Sequence, residues 1–295
     1  MSEKEKINTE ELTPARITQI KRIETRNKRM AERNKGIAKA EAELEAKKKK
    51  NAKPINRKLN IEICIHCYNY QHRLCWMLSS LLQQEGDVPN LIINVSYSLD
   101  NGNPPTKDVC DFFRGKGLNI IDTVVTEKEV SNRAIARNKQ VEQSKADWIL
   151  FVDSDLVYDP YFFDDLQTQL KNDLRYVEKV MGADRHSLDI PFCVKYFEED
   201  KTEYPCVIEN VAEIPAKWPK KWISGKNIAA GYFQLASVEA IREKAGGKYV
   251  KHPRDHWRGT RGDRRFRCRM GGRIGINVKN QYHLNHDRGG PEIQR

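Results

Sequence analysis

Trp148-Ile149-Leu150-Phe151-Val152-Asp153-Ser154-Asp155 decides the fold: the most apolar strand-length run in the chain ends on two carboxylates. Five apolar residues closed by polar ones predict a strand buried on both faces. Working back, residues 132–144 read as a helix and 119–125 as a strand. Residues 91–95 read as another strand, closed by the turn Asp100-Asn101-Gly102-Asn103-Pro104. Still earlier, Ile61-Glu62-Ile63-Cys64-Ile65 is a short strand, followed by a helical segment over 74–83. Strand and helix alternating at this spacing predict an α/β domain, a mostly parallel sheet with helices on both faces. Ligands of such a sheet sit beyond the carboxyl ends of its strands. The two aspartates stand at such an end.

The chain has 295 residues, 39% of them apolar and 32% charged. Charge is unevenly spread. Residues 1–58 hold 18 Lys and Arg against 9 Asp and Glu, and residues 242–273 hold 12 against 3. Residues 59–241 hold 19 against 27, so a slightly acidic body lies between two basic segments. That pattern suits a polyanionic partner or substrate, and equally a solvated charged tail. No apolar run approaches the roughly 18 residues needed to cross a bilayer. No secretory leader is visible, and seven cysteines argue for a reducing compartment, so a soluble cytoplasmic protein is expected.

Residues 1–58 show no strand pattern. Ile23, Met30, Ile37 and Leu44 recur every seven residues without the second apolar position of a coiled coil. A long basic helical arm is expected, starting near Thr13-Pro14 and ending by Pro54.

Asp153 and Asp155, two apart at a strand end, can share a divalent cation through hard oxygen ligands. Most Asp-x-Asp pairs are surface turns, so the surroundings decide. Ile63-Cys64-Ile65-His66-Cys67-Tyr68-Asn69 with Leu78-Ser79-Ser80-Leu81-Leu82-Gln83-Gln84 resembles the opening of the family 2 glycosyltransferases of the GT-A fold. Ala136-Arg137-Asn138, then Ala146 through Asp155, resembles their second block. A fainter third block runs from Gly262-Asp263 to Ile274, with Gly262 where the family has glutamate. Together the resemblance spans about residues 60–290.

The resemblance implies a nucleotide-sugar-binding half over 59–160 and an acceptor half over 161–295. His66, Tyr68 and Asn69 would contact the base; Arg133, Arg137, Asp153, Ser154 and Asp155 would hold the diphosphate. Mn²⁺ or Mg²⁺ would sit on Asp153, Asp155 and a C-terminal histidine, His286 first and His283 second. Asp263 would be the base of an inverting transfer, although seven nearby arginines offer it purely structural pairing. Trp222, Gly225 and Arg264 would face the acceptor. The family's acidic base-reader is missing after Val95-Ser96-Tyr97, which leaves uridine specificity open, with Asp100 further along. Cys64 and Cys67 read as structural cysteines, with no second pair to complete a zinc site.

A metal-dependent glycosyltransferase acting on a hydroxyl acceptor is therefore expected, with a UDP-sugar favoured as donor. The acceptor is a polysaccharide or lipid-linked glycan, or a hydroxymethylated base in DNA, as in bacteriophage-type DNA-modifying enzymes. An inactive nucleic-acid-binding or assembly protein on the same fold is the alternative of another class. Oligomeric state is not written in the sequence.

Overall fold

The computed structural model describes residues 24–25, 27–28, 31–32, 57–99, 105–173, 176–177, 179–183, 185–188, 203–211, 220–223, 232–251, 261–279 and 281–284. At 185–188, 220–223 and 261 it describes the backbone alone. The chain divides into two compact units, Met1–Lys53 and Pro54–Arg295. In the first, the described residues are helical and exposed.

The second unit holds a seven-stranded sheet. Its strands are β1 (Asn60–His66), β2 (Asn90–Tyr97), β3 (Ile120–Val124), β4 (Trp148–Asp153), β6 (Val180–Gly182), β9 (Phe233–Ser237) and β10 (Arg273–Gly275). They lie in the order β10-β6-β9-β4-β1-β2-β3. β4, β1, β2 and β3 run parallel; β9 is antiparallel to its neighbours β4 and β6. The strands come from both sides of residue 160, so one sheet draws on both parts of the chain.

Side-chain alternation explains the unbroken apolar run of β4. Trp148, Leu150 and Val152 enter one core with Ile61, Ile63 and Ile65 of β1. That core takes in helices α1 (Gln71–Leu82), α2 (Thr106–Gly115) and, after the short α3 (Glu127–Val130) and α4 (Arg133–Gln143), α5 (Phe162–Asn172). Ile149 and Phe151 face the opposite core, with Cys64, residues of α4, and residues of α6 (Val238–Ala245) and α7 (Arg261–Arg269). Both faces are covered, so no polar alternation is needed.

Local signals set the helix starts. Thr126 and Glu129 form a capping box on α3, and Asn132 caps α4 by accepting from the Ala134 amide. Helix α1 begins three residues earlier than its apolar pattern predicts. Asn69, in left-handed backbone at φ 59°, turns the chain out of β1 before Tyr70 opens the helix.

A smaller sheet stands apart in sequence from any predicted element. It orders β5 (Leu156–Tyr158), β11 (Gln281–Leu284), β7 (Arg185–Leu188) and β8 (Lys220–Ile223). β11 runs antiparallel to β5, which begins immediately after Asp155. This pairing returns the C-terminal region to the acidic motif.

Candidate active site

The carboxyl ends of β1, β2 and β4 are in register: His66 stands opposite Ser96 on one side and Asp153 on the other. His66 is half-buried, its Nδ1 3.3 Å from the Ser96 hydroxyl. Burial, then the cations of Arg133 and Arg137, push its imidazole down to about 3. It is therefore neutral, unable to pair with phosphate as a cation. Tyr68 and Asn69 follow it at the rim, partly exposed.

This depressed imidazole makes stability depend on pH. The unfolded chain binds a proton near 6.5 that the folded site refuses until about 3. Stability is thus full above pH 6.5 and declines as pH falls toward 3. Thermal melts of His66→Gln are expected to show a shallower decline across that window. A residual slope will remain from His72, which burial holds at about 4.

Helix α4 delivers two arginines. Arg133 donates to Asp153 Oδ1 at 2.5 Å, and this carboxylate holds its guanidinium above the usual arginine range. Arg137 is fully buried, donating to the Tyr249 hydroxyl at 2.8 Å and to Asp263 Oδ1 at 3.3 Å. Its other terminal nitrogen lies 3.7 Å from Asp153 Oδ1. Its guanidinium is enclosed and shared by Asp153 and Asp263, tying the acidic motif to the candidate base. A buried cation demands such partners, since leaving it unpaired costs several kcal/mol.

Asp263 sits in the first turn of α7, 7% exposed. Its Oδ1 also accepts from the Tyr249 hydroxyl at 2.6 Å. Tyr249 is 2.5 Å from Gln234 Oε1 and stacks over Phe266 of α7. Burial and the Asp263 charge raise the Tyr249 phenol, keeping it a proton donor at neutral pH. The arginines flanking Asp263 in sequence do not hold it among the described residues; Arg264 and Arg265 are exposed. Gln234 was detectable as a polar residue inside the otherwise apolar run Phe233-Gln234-Leu235-Ala236 of β9. Tyr249 carried no local signal, because its role depends on Arg137, 112 residues away.

Asp155 is buried beside His283, with Nε2 3.2 Å from Oδ2. The histidine that β11 brings to the acidic motif is thus His283; His286 lies outside the described residues. That separation is a direct histidine–carboxylate contact. Asp153 is turned to the arginines, and among the described residues no third acidic, His or Cys side chain completes a cage. Ser154, between the aspartates, is buried. Trp222 falls in β8, opposite His186, and Gly225 lies outside the described residues. Cys64 and Cys67 are both buried; burial raises the Cys64 thiol well above its ordinary range, as a structural role requires.

Known proteins share this fold. The glycosyl transferase family 2 model matches residues 62–205, which span β1 to β4 and the acidic motif. No curated protein sequence matches the chain. Among solved structures, S. aureus TarS superposes with a TM-score of 0.52 at 14% identity, over 77% of this chain and 37% of TarS. Its fragment 1–349 in complex with UDP-GlcNAc gives 0.51 at 16% identity, over 78% of this chain and 59% of that one. The chain thus spans between about a third and three fifths of these neighbours. At such identity the likeness concerns the fold. With the strand order, it gives this chain the GT-A-like fold, and the family match makes residues 62–205 similar to the family 2 glycosyltransferases.

Proposed function

We propose that the protein transfers one sugar from a nucleotide-diphosphate sugar to a hydroxyl acceptor, with inversion at the anomeric carbon. The observation that carries this reading is the Arg137 bridge. It places Asp263, a buried carboxylate on α7, within one guanidinium of Asp153 at the end of β4. This proximity supports a reading in which donor-diphosphate and acceptor chemistry share one locus.

UDP-sugars are the favoured donors, since a structural neighbour was crystallised with UDP-GlcNAc. The rim residues His66, Tyr68 and Asn69 would meet the base. Arg133, half-exposed on Asp153, can turn to a phosphate with its planar guanidinium. Asp155 and His283 would hold Mn²⁺ or Mg²⁺, which when bound neutralises charge on the leaving diphosphate. Asp263 would take the proton of the acceptor hydroxyl as its oxygen bonds to the anomeric carbon. The bond from that carbon to the diphosphate oxygen breaks, and the nucleoside diphosphate leaves. Trp222, Gly225 and Arg264 belong to the acceptor side of this reading. A hydroxymethylated DNA base is an acceptor of suitable chemistry, and exposed Arg264, directly after Asp263, favours a charged one. No helix among the described residues is long and apolar enough to cross a membrane.

Calorimetry with UDP and UDP-sugars tests the donor half. Binding is expected with Mn²⁺ and should vanish with EDTA. Metal-independent binding would contradict the cation assignment. No binding of any nucleotide sugar would contradict the donor reading.

A further inference from the structure

Of the two donors on Asp263 Oδ1, the nearer is a phenol. The Tyr249 hydroxyl lies 2.6 Å away and the Arg137 nitrogen 3.3 Å. Strong hydrogen bonds to a carboxylate run about 2.5–2.7 Å from a hydroxyl and about 2.7–2.9 Å from a cationic N–H. The phenol contact is therefore at full strength, and the guanidinium contact is stretched. Arg137 is also drawn toward Asp153 Oδ1, 3.7 Å from its other terminal nitrogen. Gln234 Oε1, 2.5 Å from the phenol, competes for its one proton, but a charged oxygen is the stronger acceptor. No donor among the described residues bonds Asp263 Oδ2, and a tenth of that side chain stays accessible.

Tyr249 is itself built into place. Its ring packs 4.7 Å from that of Phe151 and 4.6 Å from that of Phe266, with the Arg137 guanidinium 5.0 Å over it. Gly246 and Gly247, at φ 60° and 65°, turn the chain back after α6 through left-handed backbone. Arg269 then holds the carbonyls of Ala245 and Lys248, and Asn138 bonds both the carbonyl and the amide of Val250. Arg137 and Asn138 are neighbours on α4. One turn of that helix thus meets the Tyr249 hydroxyl and fixes the backbone beside it. Packing alone asks nothing of the hydroxyl, since a buried O–H costs free energy that phenylalanine avoids.

We propose that Tyr249 is the positioning residue of the base. With Arg137 it holds Asp263 by Oδ1 and leaves Oδ2 as the oxygen that takes the acceptor's proton. Two donors draw basicity from Oδ1, so the oxygen without a donor accepts a proton more readily. This inference rests on the glycosyl-transfer reading, with Asp263 as its base.

Tyr249→Phe tests it, because the ring is kept and only the oxygen is lost. Nucleoside diphosphate released from a panel of nucleotide sugars with Mn²⁺ is measured for the full chain, with a neutral oligosaccharide or water as acceptor. The kcat is expected to fall about 10- to 100-fold, the worth of a hydrogen bond to a charged group. Donor KM and calorimetric donor affinity should stay at the parent's values. In the Asp263→Asn background the same substitution should change kcat no further, because Tyr249 acts through that carboxylate. A residue that only fills space would lower kcat by one factor in both backgrounds. If thermal melts show that Tyr249→Phe does not fold, Asn138→Ala carries the same two tests. It loosens Val250 and spares the phenol, so a smaller fall is expected, again absent with Asp263→Asn. Parental kcat in the tested variant, or an equal fall in both backgrounds, overturns the proposal and leaves the transfer reading standing. No release from any nucleotide sugar by the parent overturns the reading, and Asp263→Asn as active as the parent overturns the base; either takes the proposal with it.

Discussion

Asp155→Ala is expected to abolish metal-dependent donor binding, with no calorimetric signal for UDP-sugar in the presence of Mn²⁺. Asp155 is buried, and its Oδ2 lies against His283, so the substitution removes half of the pair proposed to hold a cation. Without the cation, diphosphate charge falls to Arg133, which still has Asp153 as partner. The local fold should survive, because the Leu284 amide pairs with the Asp155 backbone carbonyl, not the side chain. His283→Ala should act in the same direction, and more weakly, since a carboxylate carries more of the charge. Full donor affinity in Asp155→Ala would remove the cation from the site.

Asp263→Asn should behave in the opposite way. Donor and metal affinity persist, while turnover falls by roughly 10² to 10⁴, the usual contribution of a positioned general base. Asparagine can still accept from Tyr249 and Arg137, so the geometry is held while the basic oxygen is lost. Removing a carboxylate from beside a fully buried guanidinium also costs stability, and the melting temperature is expected to drop. Product analysis supplies an independent check. Retention of configuration at the anomeric carbon would rule out the base role whatever the mutant's rate.

The sheet was legible because its central strands are buried on both faces. Runs such as 148–152, unbroken, and 61–65, broken only by Glu62, have few other uses in a chain of this spacing. Asp153 and Asp155 were legible for the same reason, standing where such a strand ends. What lay hidden depended on distant pairing. β5, β7, β8 and β11 are three or four residues long, too short for an apolar pattern to mark them. Only the pairing of β11 with β5 reveals that His283 reaches Asp155. His286, ranked first among the histidines in the sequence, lies outside the described residues. The arginines beside Asp263 misdirected the reading. Proximity in sequence suggested that they hold its charge, yet the helix turns Arg264 and Arg265 outward while Arg137 arrives from α4.

Sugar transfer at this site can be read from the mass of the acceptor. The full chain, with Mn²⁺ and a panel of nucleotide sugars, is incubated with two acceptors: DNA bearing hydroxymethylated bases and a neutral oligosaccharide. Intact-mass spectrometry then follows each acceptor. The expected result is a gain of one sugar residue on an acceptor, matched by release of nucleoside diphosphate and absent in Asp263→Asn. Acceptors of unchanged mass, with every nucleotide sugar intact, would contradict it.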